Sequence, residues 1–193
     1  MKPDGLRRVT SPTEMRALAH PVRMSLLEAL RREGSLTATE ACELVGESAA
    51  NCSFHLRTLA KYGFVEEVAG PGRRRPWKLV GRGISVELDE DDPASGVAGA
   101  ELATQLDARH LQRSQTWRAT RASYPQEWRD AAFEVDALAY LTPGELAEVE
   151  AQVMAVLGRY QRRADDRAVR PADSMPISLR IVAHPLAPTA SGA

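Results

Sequence analysis

The sequence predicts a mainly helical α+β chain, with an N-terminal winged helix-turn-helix, a C-terminal helical dimerisation domain and a short terminal strand. Three observations support this prediction. Residues 11–63 divide into short segments with apolar residues at helical spacing, separated by proline and glycine. Two alternating segments then flank a basic loop at residues 70–76 that is rich in glycine and proline. Beyond residue 96, long segments with few helix breakers predict further helices.

The first two helices are marked by residues at their ends. Ser11 lies three residues before Glu14, with proline at the first helical position, which predicts a capping box and a helix start. Pro21 interrupts this short helix. The apolar residues of 22–30 then repeat at helical spacing, and Gly34 predicts the end of a second helix.

The third and fourth helices flank a tight turn. Thr37 and Glu40 repeat the capping-box spacing, and Gly46 supplies a left-handed turn residue after a short third helix. Ser48 predicts the start of a fourth helix, which spans residues 48–62. The predicted buried stripe of this helix consists of Cys52, Leu56 and Leu59.

A strand hairpin follows the fourth helix. Residues 64–68 and 77–80 read as strands, and the loop GPGRRRP between them predicts a hairpin with a cationic tip. Residues 84–88 alternate between apolar and polar and predict another half-buried strand.

Two long helices dominate the predicted C-terminal part. The first covers residues 97–124, and the second begins at a capping box formed by Thr142 and Glu145, with short helical turns between the two. The apolar face of the second helix consists of Leu146, Val149, Val153, Val156, Leu157 and Tyr160.

A terminal strand is predicted at residues 177–183, where apolar and polar residues alternate. A single strand needs a partner, and the strand at residues 84–88 also has one apolar face. We therefore expect the two to pair, and we expect the tail from His184 onward to be frayed.

The domain boundary is predicted at an acidic linker, residues 89–96, between a winged helix-turn-helix domain at 1–88 and a helical domain at 97–193. The charges agree with this division. Up to Ile84 there are 14 basic and 9 acidic residues, a net charge of +5, and after it 11 and 17, a net charge of −6. Such asymmetry is typical of a nucleic-acid-binding module joined to a module that avoids nucleic acid.

Several classes of protein are not expected. The sequence has neither an apolar stretch long enough to span a membrane nor the pattern of a secretion signal, so we expect a cytoplasmic protein with no membrane partner. No common catalytic motif occurs, and we expect neither an enzyme nor a cofactor. Cys42 and Cys52 are interpreted as packed, reduced thiols rather than metal ligands or redox switches.

The segment from Ala17 to Glu67 contains three recognisable motifs: the opening ALAHPVR, the central S-x-x-x-x-S-x-HL-x-x-L and the closing YGFVEE. Through these motifs the segment resembles ArsR-type transcriptional regulators. The similarity covers roughly residues 13–82. The whole chain resembles actinobacterial members of this type, with an extra C-terminal helical domain. The resemblance implies a winged fold, DNA binding and homodimerisation. Metal-sensing members place two cysteines one residue apart in the third helix, whereas this chain has only Cys42 there, so no metal site is expected.

The fourth helix is expected to enter the major groove of double-stranded DNA. Asn51 is the candidate for reading a base, since an amide pairs bidentately with adenine, and Arg57 is the candidate for phosphate or guanine. The wing arginines are expected to reach the minor groove or its phosphates. The candidate DNA-binding residues are Ser48, Ala49, Ala50, Asn51, Ser53, Phe54, His55, Arg57, Thr58, Lys61, Arg73, Arg74 and Arg75.

Several of these residues have a second interpretation. His55 either bonds to DNA or is a partly buried histidine bonded to its own helix. Phe54 either touches a thymine methyl or packs beneath the wing. Asp107 and His110 lie one helical turn apart, but two ligands do not complete a metal site, so a surface or interface role is favoured.

A small-molecule effector is a further expected partner. Its candidate pocket is lined by Trp117, Trp128, Phe133 and Tyr140, although such aromatic residues also form ordinary cores. The sequence thus predicts a homodimeric repressor of a pseudopalindromic operator. The alternatives are an effector-binding sensor and a protein-interaction adaptor that uses a winged helix without strong DNA binding.

Overall fold

The computed structural model describes residues 6–72, 74–81 and 83–186. The N-terminal part contains, in chain order, β1 (Leu6–Val9), α1 (Pro12–Leu18), α2 (Pro21–Glu33), β2 (Ser35–Leu36), α3 (Ala38–Val45), α4 (Ala49–Lys61), β3 (Val65–Glu67), β4 (Trp77–Leu79) and β5 (Gly83–Val86). The C-terminal part contains α5 (Pro93–Thr120), α6 (Gln126–Ala131), α7 (Pro143–Gly158) and α8 (Arg162–Asp165). The predicted α+β class, mainly helical with a winged helix-turn-helix, is confirmed.

The wing is a three-stranded antiparallel sheet in the order β2-β4-β3. Val65 of β3 faces Leu79 of β4, and Leu36 of β2 faces Trp77 on the other side of β4. The hairpin prediction is therefore confirmed, and the short β2 between α2 and α3 adds a strand that was not predicted. Through β2, the sheet is joined directly to the helices that it flanks.

The prediction for residues 84–88 was correct as to a strand and wrong as to its partner. β5 pairs in parallel with β1, from Leu6 opposite Gly83 to Val9 opposite Val86. Residues 177–183 form no strand. In the described part of the chain this segment pairs with no strand, and Ile177 and Ile181 are 61% and 60% exposed.

The core is built from α1, α2, α4 and the first turns of α5. Its largest fully buried side chains include Met15, Leu18, Leu26, Leu30, Leu56 and Leu59, and Leu102 of α5 is buried with them. Burial of these apolar side chains is the main stabilising contribution to the N-terminal part.

The start of α5 lies inside the predicted linker. Asp92 caps the helix by accepting a hydrogen bond from the Ala94 backbone N–H at 2.9 Å, and Ser95 is fully buried. Gly99 allows a close approach here, since a Cβ at this position would lie 2.4 Å from Leu88 Cδ2. The division of the chain into two domains at residues 89–96 stays a prediction.

Most helix starts follow the capping residues. Full capping boxes are present at Thr37 with Glu40 and at Thr142 with Glu145. The box predicted at Ser11 was wrong, because the Ser11 hydroxyl instead lies 2.7 Å from the Thr13 hydroxyl. Helix α1 begins there without a side-chain cap, supported by proline at its first position.

The C-terminal part is far less packed. Neither α6 nor α7 contains a buried residue among those described. It is attached to α2 through Glu28, whose carboxylate is paired with the guanidinium groups of Arg109 and Arg113 of α5. No helix in the described residues is long and apolar enough to cross a membrane.

Candidate nucleic-acid interface

The turn between α3 and α4 fixes the direction of α4. Gly46 ends α3 in the left-handed conformation, with φ 71° and ψ 31°, which a glycine adopts without strain. Two residues later, the Ser48 hydroxyl accepts a hydrogen bond from the Asn51 backbone N–H at 3.2 Å and starts α4. The geometry is that of a helix-turn-helix, with α4 in the position of the recognition helix.

The inner face of α4 is held by the core. Cys52, Leu56 and Leu59 are fully buried, as predicted, and His55 is 5% exposed. Because these residues recur every three or four positions, the opposite face of the helix is left to solvent. That outer face consists of Ala49, Ala50, Phe54, Arg57 and Lys61 as exposed residues, with Ser53 and Thr58 partly exposed beside them.

The polar groups of the outer face are held by neighbours on the same helix. Arg57 donates hydrogen bonds to the Ser53 carbonyl at 3.2 Å and to the Ser53 hydroxyl at 3.0 Å. The Thr58 hydroxyl donates to the Phe54 carbonyl at 3.0 Å. All of these contacts are solvent-exposed, so exchanging them for contacts to a ligand costs little.

Asn51, the candidate for reading a base, is only partly exposed. Its side-chain amide donates a hydrogen bond to the Glu47 carboxylate at 2.8 Å. Helical spacing did not predict this partner, because Glu47 lies in the turn before the N-cap of α4 and not on the helix itself. In the unbound chain the amide is oriented by Glu47.

His55 does not lie on the outer face. Its ring is buried and stacks on the ring of His20 with 4.5 Å between centroids, so it is not available to a groove edge. Of the two interpretations, burial is correct, but the partner is His20 rather than the helix backbone. His55 Nδ1 is buried without a hydrogen-bond partner in the described part of the chain.

His20 connects α4 to the start of α2. Its Nδ1 accepts a hydrogen bond from the Val22 backbone N–H at 3.2 Å, so the histidine is the N-cap of α2. Burial lowers the pKa of both His20 and His55, and the positive charge of Arg23 lowers the pKa further. The pair is therefore a neutral contact that positions α4.

Phe54 projects from α4 with 61% of its side chain exposed. Its only ring contact among the described residues is an edge-on approach to His55, with 5.2 Å between centroids. It does not pack beneath the wing. An exposed aromatic ring in the middle of the outer face is an apolar group that is available for contact with a partner.

The wing arginines differ from one another. Arg74 forms an ion pair with Glu40 of α3, with 2.8 Å between Nη2 and Oε1, and both side chains are substantially exposed. Arg75 is exposed, and Arg73 lies outside the described residues. A hydrogen bond from the Val68 N–H to the Pro76 carbonyl at 2.8 Å closes the base of this loop.

Glu40 carries out two tasks. It completes the capping box of α3, and hydrogen bonds from the Thr37 backbone and hydroxyl lower the pKa of its carboxyl, with a smaller contribution from Arg74. The carboxylate is therefore ionised where the tip of the wing approaches α3. The spacing of Thr37 and Glu40 predicted the capping role, but the contact with Arg74 spans 34 positions and has no local signal.

The residues weighed as metal ligands are dispersed. Cys42 and Cys52 are free thiols, and the Cys42 thiol donates to the Thr39 carbonyl at 3.0 Å. Asp107 is paired with Arg180. Within the described ranges, no group of three or more histidine, cysteine or acidic side chains is placed to hold a metal ion.

The four aromatic residues of the candidate effector pocket are not gathered into a cavity. Phe133 and Tyr140 are 81% and 94% exposed, and Trp117 instead stacks edge-on with Tyr124 at 5.0 Å. A cleft of about 280 Å³ lies elsewhere, between α2, α3 and α5, and none of the four lines it. In the single chain, this pocket prediction has no geometric support.

One family model matches the region of the chain that contains this geometry. A family model described as a helix-turn-helix domain matches residues 18–68, which run from the end of α1 to just beyond β3. No curated protein matches the chain.

Solved structures resemble parts of the chain. Reduced HlyU from Vibrio cholerae N16961 is 17% identical, with a TM-score of 0.32, and the match covers 48% of this chain and 83% of HlyU. Rv0081 from M. tuberculosis is 23% identical, with a TM-score of 0.33, covering 53% and 90%. Apo wild-type MarR from E. coli is 15% identical, with a TM-score of 0.32, covering 75% and 89%. The family match and the geometry of α3, α4 and the wing together establish a helix-turn-helix domain in the N-terminal part.

Proposed function

We propose that this protein is a DNA-binding transcriptional regulator that acts without catalysis. The observation that supports it best is the outer face of α4, where Phe54 and Arg57 are exposed on a helix whose other face is fixed in the core. A helix presented in this way fits the major groove, which is wide enough to admit one α-helix.

The wing supports the same function. Arg75 is exposed and Arg74 is held only by a surface ion pair, which is worth about 0–1 kcal/mol. A DNA phosphate would replace Glu40 as the partner of Arg74 at little cost. Cations at this position release counterions from DNA and add affinity that does not depend on sequence.

The finer proposal is a cytoplasmic, homodimeric repressor of the ArsR type that reads a pseudopalindromic operator. Two-fold symmetry would place the two α4 helices about 34–36 Å apart, facing successive major grooves. The resemblance of the segment from Ala17 to Glu67 supports the ArsR assignment. An effector partner stays a prediction.

The test is selection of bound fragments from randomised DNA by the full-length protein, followed by Kd measurements at several salt concentrations. We expect a pseudopalindromic motif whose affinity falls with salt. Arg57→Ala should weaken binding, whereas the matched control Arg118→Ala in α5 should not. Failure to enrich any motif, together with equal behaviour of the two variants, would contradict the proposal.

A further inference from the structure

Helix α7 carries an apolar line that is partly or largely exposed in the described chain. Leu146, Val149, Val153, Val156 and Tyr160, the last just beyond its end, are spaced alternately by three and four positions. This is the a and d pattern of a coiled coil. Val149 and Val156 are 44% and 48% exposed, and no residue described in α7 is buried. The Arg163 guanidinium lies over the Tyr160 ring at 5.1 Å and leaves that side chain 53% exposed.

The charges of this segment are divided between its two ends. The N-terminal half carries Glu145, Glu148 and Glu150, and Arg159, Arg162 and Arg163 follow at the C-terminal end. A partner that fits must be basic where α7 is acidic and acidic where α7 is basic. A second copy of α7, turned end to end, has this distribution.

We propose that α7 pairs with α7 of a second copy of this chain, in an antiparallel orientation about a two-fold axis. This inference rests on the homodimer of the proposed function and specifies which surface forms it. Leu146 packs against Val156 of the second copy, and Val149 against Val153. With this register, Glu145 at a g position faces Arg159 of the second copy, and Gln152 faces its own equivalent at the axis.

The opposite orientation is disfavoured by charge. In a parallel pair, g positions face the following e positions, so Glu145 would meet Glu150 of the other copy twice. The antiparallel pair retains one contact between like charges, Glu150 with Glu150 at the axis. It also sets the two helix dipoles against each other, which favours antiparallel packing.

The helix pair alone is small for a stable dimer, since specific interfaces bury about 1,200–2,000 Å². The segment before α7 adds exposed apolar area next to it. The exposed residues there are Phe133, Val135, Leu138, Tyr140 and Leu141. We infer that this segment extends the same interface, which accounts for apolar side chains that water would otherwise surround.

Cross-linking of variants with one introduced cysteine tests both pairing and orientation. Gln152→Cys, Arg159→Cys and Ala151→Cys are made in the full chain with Cys42→Ser, and each is treated with a short bismaleimide. Cys52 is retained because it is fully buried and is not accessible to the reagent. Gln152→Cys should give a covalent dimer. Arg159→Cys should not link to itself, because seven residues on either side of the axis separate the two thiols by about 21 Å. Ala151→Cys, on the outer side of α7, is the matched control.

Two outcomes would overturn the proposal. Equal linking by Gln152→Cys and Arg159→Cys would indicate a parallel pair, and equal linking by Ala151→Cys and Gln152→Cys would indicate random collision. Sedimentation supplies a second readout. Val153→Glu should weaken dimerisation at least tenfold, whereas Ala151→Glu should leave it unchanged, and equal dimerisation by these two variants would also overturn the pairing.

The proposed function fails separately. Specific DNA binding without the Gln152→Cys dimer would overturn the α7 pairing and leave the regulator intact. The Gln152→Cys dimer without any DNA binding would support the pairing and contradict the regulator.

Discussion

The region up to Leu106, which includes the first turns of α5, and the region that follows it contain similar numbers of apolar residues but place them differently. In the first, apolar side chains of four helices meet in one core, with Leu26, Leu56 and Leu59 fully buried. In the second, Val149, Leu179 and Tyr140 are largely exposed. Apolar side chains thus form a core in one region and stay largely exposed in the other.

The strongest test of this comparison is a pair of leucine truncations. Leu56→Ala removes a fully buried side chain of α4 and should cost about 2–5 kcal/mol of unfolding free energy. Leu179→Ala, at a side chain that is 53% exposed, should change it by less than about 0.5 kcal/mol. Urea denaturation at low protein concentration measures both. Equal losses would show that the C-terminal part is packed as tightly as the core.

The two regions should also differ in how strongly the loss of an arginine weakens DNA binding. Arg57→Ala should weaken specific binding by about 1–3 kcal/mol if the guanidinium reads guanine. Arg75→Ala should weaken binding to all sequences alike and reduce the salt slope by about 1. Titration of labelled operator at four salt concentrations separates the two effects. Arg118→Ala, in α5, is the control whose Kd and slope should stay unchanged.

The two capping boxes provide a matched pair of small perturbations. Thr37→Ala should cost about 1 kcal/mol of global stability, because α3 unfolds together with the core. Thr142→Ala should loosen α7 alone in the monomer, seen as faster hydrogen exchange in α7 with an unchanged urea midpoint. A shift of the midpoint by Thr142→Ala would mean that α7 unfolds cooperatively with the N-terminal part.

The smallest expected effect concerns pH. The pKa values of His20 and His55 are lowered from 6.5, so the folded chain binds fewer protons than the unfolded chain just below that pH. The histidine contribution is therefore favourable above pH 6.5, and stability falls as the pH drops through 6.5 toward the folded pKa values. Urea midpoints at pH 7.5 and 5.5 measure this decrease. His20→Asn with His55→Gln, which keeps a capping residue at position 20, should reduce the decrease, and an undiminished decrease would assign it to other groups.

Local signals predicted most of the N-terminal part. Thr37, Gly46 and Ser48 act through bonds to residues within a few positions, so their roles are visible in the sequence. β1 was missed, since two of its four residues are arginines and its partner lies more than seventy positions away. The Ser11 capping box was wrong because spacing alone does not decide whether a hydroxyl turns toward the backbone or toward Thr13.

The candidate interface was predicted less completely than the fold. Helical periodicity placed Arg57 outside and Leu56 inside. It did not give the partners Glu47, Glu40 and His20, since these depend on how helices and loops meet in three dimensions. The prediction of a terminal strand at residues 177–183 was wrong for a related reason. Alternation of apolar and polar residues indicates a segment that could join a sheet, but it does not specify which strand would pair with it.

The ion pair between Arg74 and Glu40 has a consequence for selectivity among anions. Under the proposed function, the carboxylate of Glu40 already occupies the place that a phosphate would take. The gain from binding a phosphate at Arg74 is therefore only the difference between the free energies of the two ion pairs. A single phosphate in solution gains little by this exchange, whereas a polymer that offers many phosphates at once replaces the carboxylate readily. Under the proposed function, a free single anion therefore competes poorly with Glu40 for Arg74, whereas a nucleic-acid backbone competes well.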